Sequence, residues 1–140
     1  MKAEEIMVKK VVTIKPEISI HKAVKLMNKN KIGCLMVLYK KKVIGIITES
    51  DMLKKVLEEC KNPKKTKVSE IMTQQVIVGN KNMELLEATR LMFEKKIKKL
   101  PIIDKSRLVG IVTLTDIART ASVDIKTKKL IDTMANMHMF

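Results

Sequence analysis

The tripeptide Glu5-Ile6-Met7 returns as Glu70-Ile71-Met72, and the same offset of 65 residues carries Val11 onto Val76, Ala23 onto Ala88 and Leu26-Met27 onto Leu91-Met92. It continues through Leu35 and Leu100, Gly45-Ile46 and Gly110-Ile111, Thr48 and Thr113, and Asp51 and Asp116. Ungapped self-similarity of this extent marks one structural unit present twice. A unit of roughly 50 residues buries too little apolar surface to be secure alone. The copies are therefore predicted to pack sheet to sheet with pseudo-twofold symmetry, leaving two related clefts.

The hydrophobic period changes in a fixed order within each unit. Val11, Val12 and Ile14 form a short β-branched run that Pro16 ends, because proline cannot donate to a sheet ladder. Ser19 stands at a helix N-cap position ahead of Ala23, Val24, Leu26 and Met27, which share one helical face. Leu35–Tyr39 and Val43–Thr48 read as strands joined by a hairpin across Lys40-Lys41-Lys42. Ser50 and Asp51 open a second helix with Met52, Leu53, Val56 and Leu57 as its apolar face. The second unit repeats this as strand Val76–Val78, helix Glu84–Lys95, strand Lys99–Ile103, hairpin Asp104–Arg107, strand Leu108–Thr113 and helix Thr115–Ala121. The fold class is thus α/β, two tandem β-α-β-β-α units over residues 1–60 and 68–122. Residues 61–67, with Pro63 among charges, read as a solvated linker. Residues 123–140 read as a C-terminal helix, Val123–Met134, that buries Leu130, Ile131 and Met134, followed by the apolar tail Met137-His138-Met139-Phe140.

Composition narrows the function. With 46% hydrophobic and 31% charged residues, 3 prolines and 4 glycines, the chain is that of an ordinary globular protein. No window approaches the roughly 18 apolar residues of a membrane span, and the start Met1-Lys2-Ala3-Glu4-Glu5 lacks a signal-peptide core. A cytoplasmic location without membrane association is predicted. Cys34 and Cys60 have no CxxC spacing and read as free thiols, and His21 and His138 have no acidic or cysteine partners for a metal. There is no nucleophile and base constellation, metal motif or Gly-rich phosphate loop, so no enzyme activity and no required cofactor are expected. The net charge of +14 favours anionic partners. Aromatics are confined to Tyr39, Phe93 and Phe140, which counts against a platform for stacking bases.

Two segments carry a specific pattern: Gly45-Ile46-Ile47-Thr48-Glu49-Ser50-Asp51 and Gly110-Ile111-Val112-Thr113-Leu114-Thr115-Asp116. With the repeated strand order, the Glu-Ile-Met tripeptides and Lys99-Leu100-Pro101-Ile102-Ile103-Asp104, the chain resembles a tandem pair of cystathionine-β-synthase (CBS) domains, a Bateman module, over residues from about 5 to 121. The resemblance implies binding of AMP, ADP or ATP, with S-adenosylmethionine as the other ligand met in such pairs. It also implies that the Asp chelates ribose hydroxyls while neighbouring Thr or Ser hydroxyls contact phosphate. The physics fits, since a carboxylate accepts two hydroxyl hydrogens and hydroxyls with free amides suit an anion.

By matched positions the resemblance assigns Thr48, Ser50, Asp51, Lys54, Ile77, Val78, Lys98, Lys99 and Pro101 to one nucleotide site. It assigns Thr113, Thr115, Asp116, Arg119, Val12, Thr13, Gly33, Cys34 and Met36 to the other. Lys98 and Lys99 bring charge where Gly33 and Cys34 bring none, so tighter phosphate binding is expected at the Asp51 site. Lys54 and Arg119 each follow their Asp by three residues and share its helix face. The Thr and Asp pairs also serve as helix caps with no ligand at all. The expected function is regulatory, with nucleotide occupancy controlling a separate partner protein or the oligomeric state of a homodimer. The competing readings are a nucleic-acid-associated basic protein and a purely structural dimer whose interface is the apolar C-terminal segment.

Overall fold

The Ser19 hydroxyl accepts the Lys22 N–H at 3.2 Å and starts helix α1, Ile20–Asn30, as its N-cap position requires. In the computed structural model, which describes residues 1–120 and 124–139, α1 lies between strand β1, Thr13–Ile14, and strand β2, Cys34–Tyr39. Strand β3, Lys42–Thr48, returns antiparallel to β2, while β1 pairs parallel with it, giving a three-stranded sheet in the order β1-β2-β3. The turn between β2 and β3 is tighter than expected. Lys40 and Lys41 alone make it, with φ of 50° and 67°, the left-handed pair that matches strand twist in a two-residue hairpin.

Helix α2, Glu49–Asp51, continues as wider turns over Met52–Leu57. The second repeat has helix α4, Leu85–Lys95, between strands β4, Gly79–Asn80, and β5, Lys99–Asp104, and then strand β6, Arg107–Thr113, and helix α5, Leu114–Arg119. Its sheet has the same order, β4-β5-β6, and its hairpin again uses two left-handed residues, Lys105 and Ser106. Helix α3, Val68–Ile71, precedes β4, and helix α6, Ile125–Asn136, closes the chain. The expected helix limits Ala121 and Val123, and Phe140 of the tail, lie outside the described residues.

The compact bodies do not follow the repeats in order. One comprises Val12–Val76, and the other comprises Met1–Val11 together with Ile77–Phe140. The leading segment of each repeat thus packs on the sheet of the other repeat. In the first body the Ile20 N–H donates to the Thr66 carbonyl (2.8 Å), the Val68 N–H to Ile18 (2.8 Å), and Thr73 exchanges two backbone hydrogen bonds with Ile46. In the second, Leu85 donates to Met1 (2.8 Å), Ala3 to Met83 (2.9 Å), and Val8 exchanges two with Ile111. These are the same contacts moved by 65 residues. The Glu84 carboxylate binds the Lys2 ammonium (2.6 Å), which together with the chain N-terminus holds it below the ordinary carboxylate range.

The exchange gives the motif glycines their role. A Cβ on Gly45 would lie 2.5 Å from Met72 Sδ and 3.1 Å from the Thr73 carbonyl, and one on Gly110 would lie 2.6 Å from Met7 Sδ. Only glycine lets the exchanged segment lie that close to the strand.

Each body has its own core. Ile14, Ile20, Ala23, Met27, Leu35, Val37, Ile47 and Val56 of the first repeat pack with Val68 and Ile71. Leu85, Ala88, Met92, Leu100, Ile102, Val112, Leu114 and Ile117 pack with Ala3 and with Ile131 and Met134 of α6.

Three expectations need correction. The strand expected at Val76–Val78 forms at Gly79–Asn80, because the parallel register places Gly79 opposite Ile102 and leaves Val76–Val78 half-buried outside the ladder. Val11 and Val12 likewise precede β1 rather than join it. The apolar face expected at Met52, Leu53, Val56 and Leu57 buries only Val56. Hydrogen bonds there span five residues, from the Glu58 N–H to Leu53 O (3.0 Å). Such π-type turns rotate Leu53 and Leu57 outward, where they are 61% and 68% exposed.

Candidate functional site

Strand β3 ends where Thr48 turns extended (φ −125°, ψ 166°) and caps α2, its Oγ1 accepting the Asp51 N–H at 3.2 Å. The Asp51 carboxylate reciprocates: Oδ2 accepts the Thr48 N–H (3.0 Å) and the Thr48 hydroxyl (3.1 Å). Oδ1 accepts the Lys55 ammonium (3.0 Å) and the Thr73 hydroxyl (3.3 Å). Lys55 is one helical turn on, and its ammonium also donates to the Ile71 carbonyl (3.0 Å). The Asp51 side chain is only 10% exposed, so a buried charge is matched by four donors.

Strand β6 ends in the same turn. Thr113 Oγ1 accepts the Asp116 N–H at 3.1 Å. There the likeness stops, because among the described residues no donor reaches the Asp116 carboxylate. The counterpart of Lys55 is Thr120, whose hydroxyl donates to the Asp116 main-chain carbonyl (2.8 Å), and the counterpart of Thr73 is Val8. Asp116 is half-buried.

The other expected site residues fall in both bodies. In Val12–Val76, Cys34 is the ladder partner of Thr48, Thr13 pairs with Met36, and Val12 and Gly33 are half-buried beside them in sequence. Cys34 and Met36 have buried side chains, Ser50 and Lys54 exposed ones. In the other body Lys99 is the ladder partner of Thr113 and Pro101 of Ile111. Lys98, Thr115 and Arg119 are exposed there, Ile77 and Val78 half-buried, and Pro101 buried.

The charge beside the two turns is opposite. The Glu49 N–H donates to the Gly33 carbonyl, and its carboxylate lies where a Gly33 Cβ would meet Oε1 at 2.9 Å. In the second body Leu114 donates to the Lys98 carbonyl, so a buried leucine and an exposed lysine replace the carboxylate and the glycine.

A model of the CBS domain family matches residues 3–58 and again 68–123. The chain belongs to the CBS domain family. The CBS domain-containing protein YhcV of Bacillus subtilis is 34% identical over 115 residues, covering 82% of this chain and 81% of that one. Inosine-5'-monophosphate dehydrogenase of Methanocaldococcus jannaschii is 34% identical over 99% of this CBS pair, which spans only 28% of the enzyme. The hexameric CBS-CP12 protein from bloom-forming cyanobacteria has a similar fold, with a TM-score of 0.78 at 29% identity, covering 98% of this CBS chain and 80% of that one. No helix among the described residues is long and apolar enough to cross a membrane.

Among the depressions in the Val12–Val76 body are two that neither Thr48 nor Asp51 lines. The larger, about 850 Å³, lies at the far end of the strands, between Pro16, Leu26, Tyr39 and Lys40. The smaller, about 510 Å³, is an apolar groove between α1 and Met52–Leu57, lined by Ile20, Val24, Met27, Met52, Leu53 and Leu57. Sequence reasoning missed Lys55 and Thr73. The only signal was that the repeat fails there, the offset aligning Lys55 with Thr120 and Thr73 with Val8 in sequence.

Proposed function

We propose that this CBS pair is a regulatory adenine-nucleotide-binding module, taking AMP, ADP or ATP, that signals to a separate partner or through its oligomeric state. The observation that carries this reading is the twice-built strand-to-helix turn, in which a threonine hydroxyl caps the helix and an aspartate stands three residues on. A turn of this kind can offer a hydroxyl to phosphate and a carboxylate to a ribose diol wherever its own donors leave them open, as at Asp116 among the described residues, and the +14 charge draws anions to the chain. The match to a segment of an enzyme named for a purine nucleotide supports the same ligand class. Calorimetric and thermal-shift titrations with AMP, ADP, ATP and S-adenosylmethionine test the reading. A response to an adenine nucleotide supports it, and silence toward all four ends it.

Self-association is proposed through the groove face rather than the C-terminal segment. Ile131 and Met134 of α6 are buried in their own body, whereas Leu53 and Leu57 are exposed beside an open apolar groove. A second copy covering this face would remove that apolar surface from water. The hexameric cyanobacterial relative supports association in the family. Sedimentation of the double variant Leu53→Asp, Leu57→Asp should then report a smaller species than the wild type. An unchanged sedimentation coefficient would remove this face from consideration. The nucleic-acid reading rests on net charge alone, and predicts affinity for DNA or RNA that falls steeply with salt.

A further inference from the structure

We infer that Lys55, assisted by Thr73, occupies the Asp51 carboxylate as an internal substitute for ligand hydroxyls, so that nucleotide is held through the turn carrying Asp116. The inference rests on the nucleotide reading above and deepens it by naming the residue that sets how many ligands bind.

A carboxylate has about four lone-pair positions for donors. At Asp51 all are taken: the Thr48 amide and hydroxyl on Oδ2, the Lys55 ammonium and Thr73 hydroxyl on Oδ1. A ribose diol must displace at least the Lys55 ammonium, which a second bond to the Ile71 carbonyl and one to Thr73 Oγ1 (3.5 Å) hold in place. It would exchange a charge-assisted contact for neutral hydroxyls at a nearly buried carboxylate, and charge-assisted bonds are the stronger kind.

The second turn keeps the threonine cap on the aspartate N–H, but among the described residues neither the Thr113 amide nor its hydroxyl reaches the Asp116 carboxylate, and the counterparts of Lys55 and Thr73 supply no donor. Thr120 is too short and is turned to the Asp116 carbonyl, and Val8 has no hydroxyl. Among the described residues nothing donates to the Asp116 carboxylate, so its lone pairs are open to an incoming diol, and Leu114 with the exposed Lys98 replaces the Glu49 and Gly33 pairing of the first body. The order of the two aspartates is the reverse of the one that Lys98 and Lys99 suggest from sequence.

Two measurements on the full chain test this. The first needs no nucleotide. Acetylation by an activated ester, mapped by mass spectrometry, should modify Lys55 several-fold more slowly than the exposed Lys54, and Asp51→Asn should remove the difference. Equal rates in the wild type would overturn the inference at its root. The second is calorimetry with AMP and with ATP. The wild type should bind one equivalent, and Asp116→Ala should weaken it more than roughly tenfold, as expected when hydrogen bonds to a charged group are lost. Lys55→Thr with Thr73→Val, which copies the second turn onto the first, should add a second equivalent, and Asp51→Ala in that background should remove it. Lys55→Met serves as the alternative should the double variant unfold early. Two equivalents in the wild type, or a single equivalent indifferent to Asp116, would overturn the inference while leaving the nucleotide reading intact. No heat from the wild type or any variant with either nucleotide would overturn the inference, and silence toward ADP and S-adenosylmethionine as well would overturn both.

Discussion

The body of Val12–Val76 and the body that carries the second repeat share strand order, register, hairpin geometry and exchanged leading segment, yet they finish their surfaces differently. In the second, α6 packs on α4 and α5 and buries Thr127, Ile131 and Met134. In the first, no equivalent helix follows, so the corresponding face of α1 is an open groove beside two exposed leucines. The turns differ in a complementary way, Asp51 saturated by internal donors and Asp116 without them among the described residues. A duplicated scaffold tolerates this because the core positions repeat while the residues at its margins are free to change.

The comparison is tested most severely at the helix that only one body has. Met134 is fully buried, so Met134→Ala should cost about 2–5 kcal/mol in chemical denaturation. Leu53→Ala in the open groove should stay within about 0.5 kcal/mol for the monomer. Equal losses would mean that the groove is filled in solution. Next come the motif glycines. Gly45→Ala pushes a methyl toward the Thr73 backbone as well as Met72 and should cost about 1–3 kcal/mol. Gly110→Ala meets only the Met7 side chain among its three nearest neighbours and should cost less, which thermal unfolding of the pair would show.

A smaller contrast is expected at the aspartates. Asp51→Ala leaves the Thr48 amide and the Lys55 ammonium without their acceptor and should destabilise by about 1–2 kcal/mol, the 43% exposure of Lys55 allowing it to turn into water. Asp116→Ala should cost less without ligand, and a larger loss there would reveal a hidden partner. The smallest effect concerns Asp124, the N-cap of α6, whose carboxyl is held below its usual range chiefly by the Thr127 N–H. Its folded value is depressed, so its contribution is present above the unfolded carboxylate pKa and is lost as pH falls through the folded one, below about pH 4. An acid titration of stability should be flatter for Asp124→Asn.

Much of this was legible without coordinates. The Ser19 cap and the Thr-Asp turns are local features, set by residues within a few positions of each other, and each formed where its residue types demanded; both hairpins formed between the expected strands, but as two-residue left-handed turns on Lys40-Lys41 and Lys105-Ser106, tighter than their residue types announce. Long-range pairing was not legible. Val76–Val78 has strand composition, but its ladder begins at Gly79 because the opposing strand sets the register. The face of Met52–Leu57 was misjudged because a wider helical turn cannot be told from an ordinary one by apolar spacing.

By itself the sequence determined that one unit occurs twice, what its elements are, and that a threonine and an aspartate stand at the same turn in each. Tertiary structure alone decided which leading segment completes which sheet, and so brought Thr73 and the Ile71 carbonyl to Asp51 and Lys55. The physical reason is that capping and turn preferences act within a few residues along the chain. Whether a carboxylate is saturated or open depends on donors delivered from segments that only the packed core brings together.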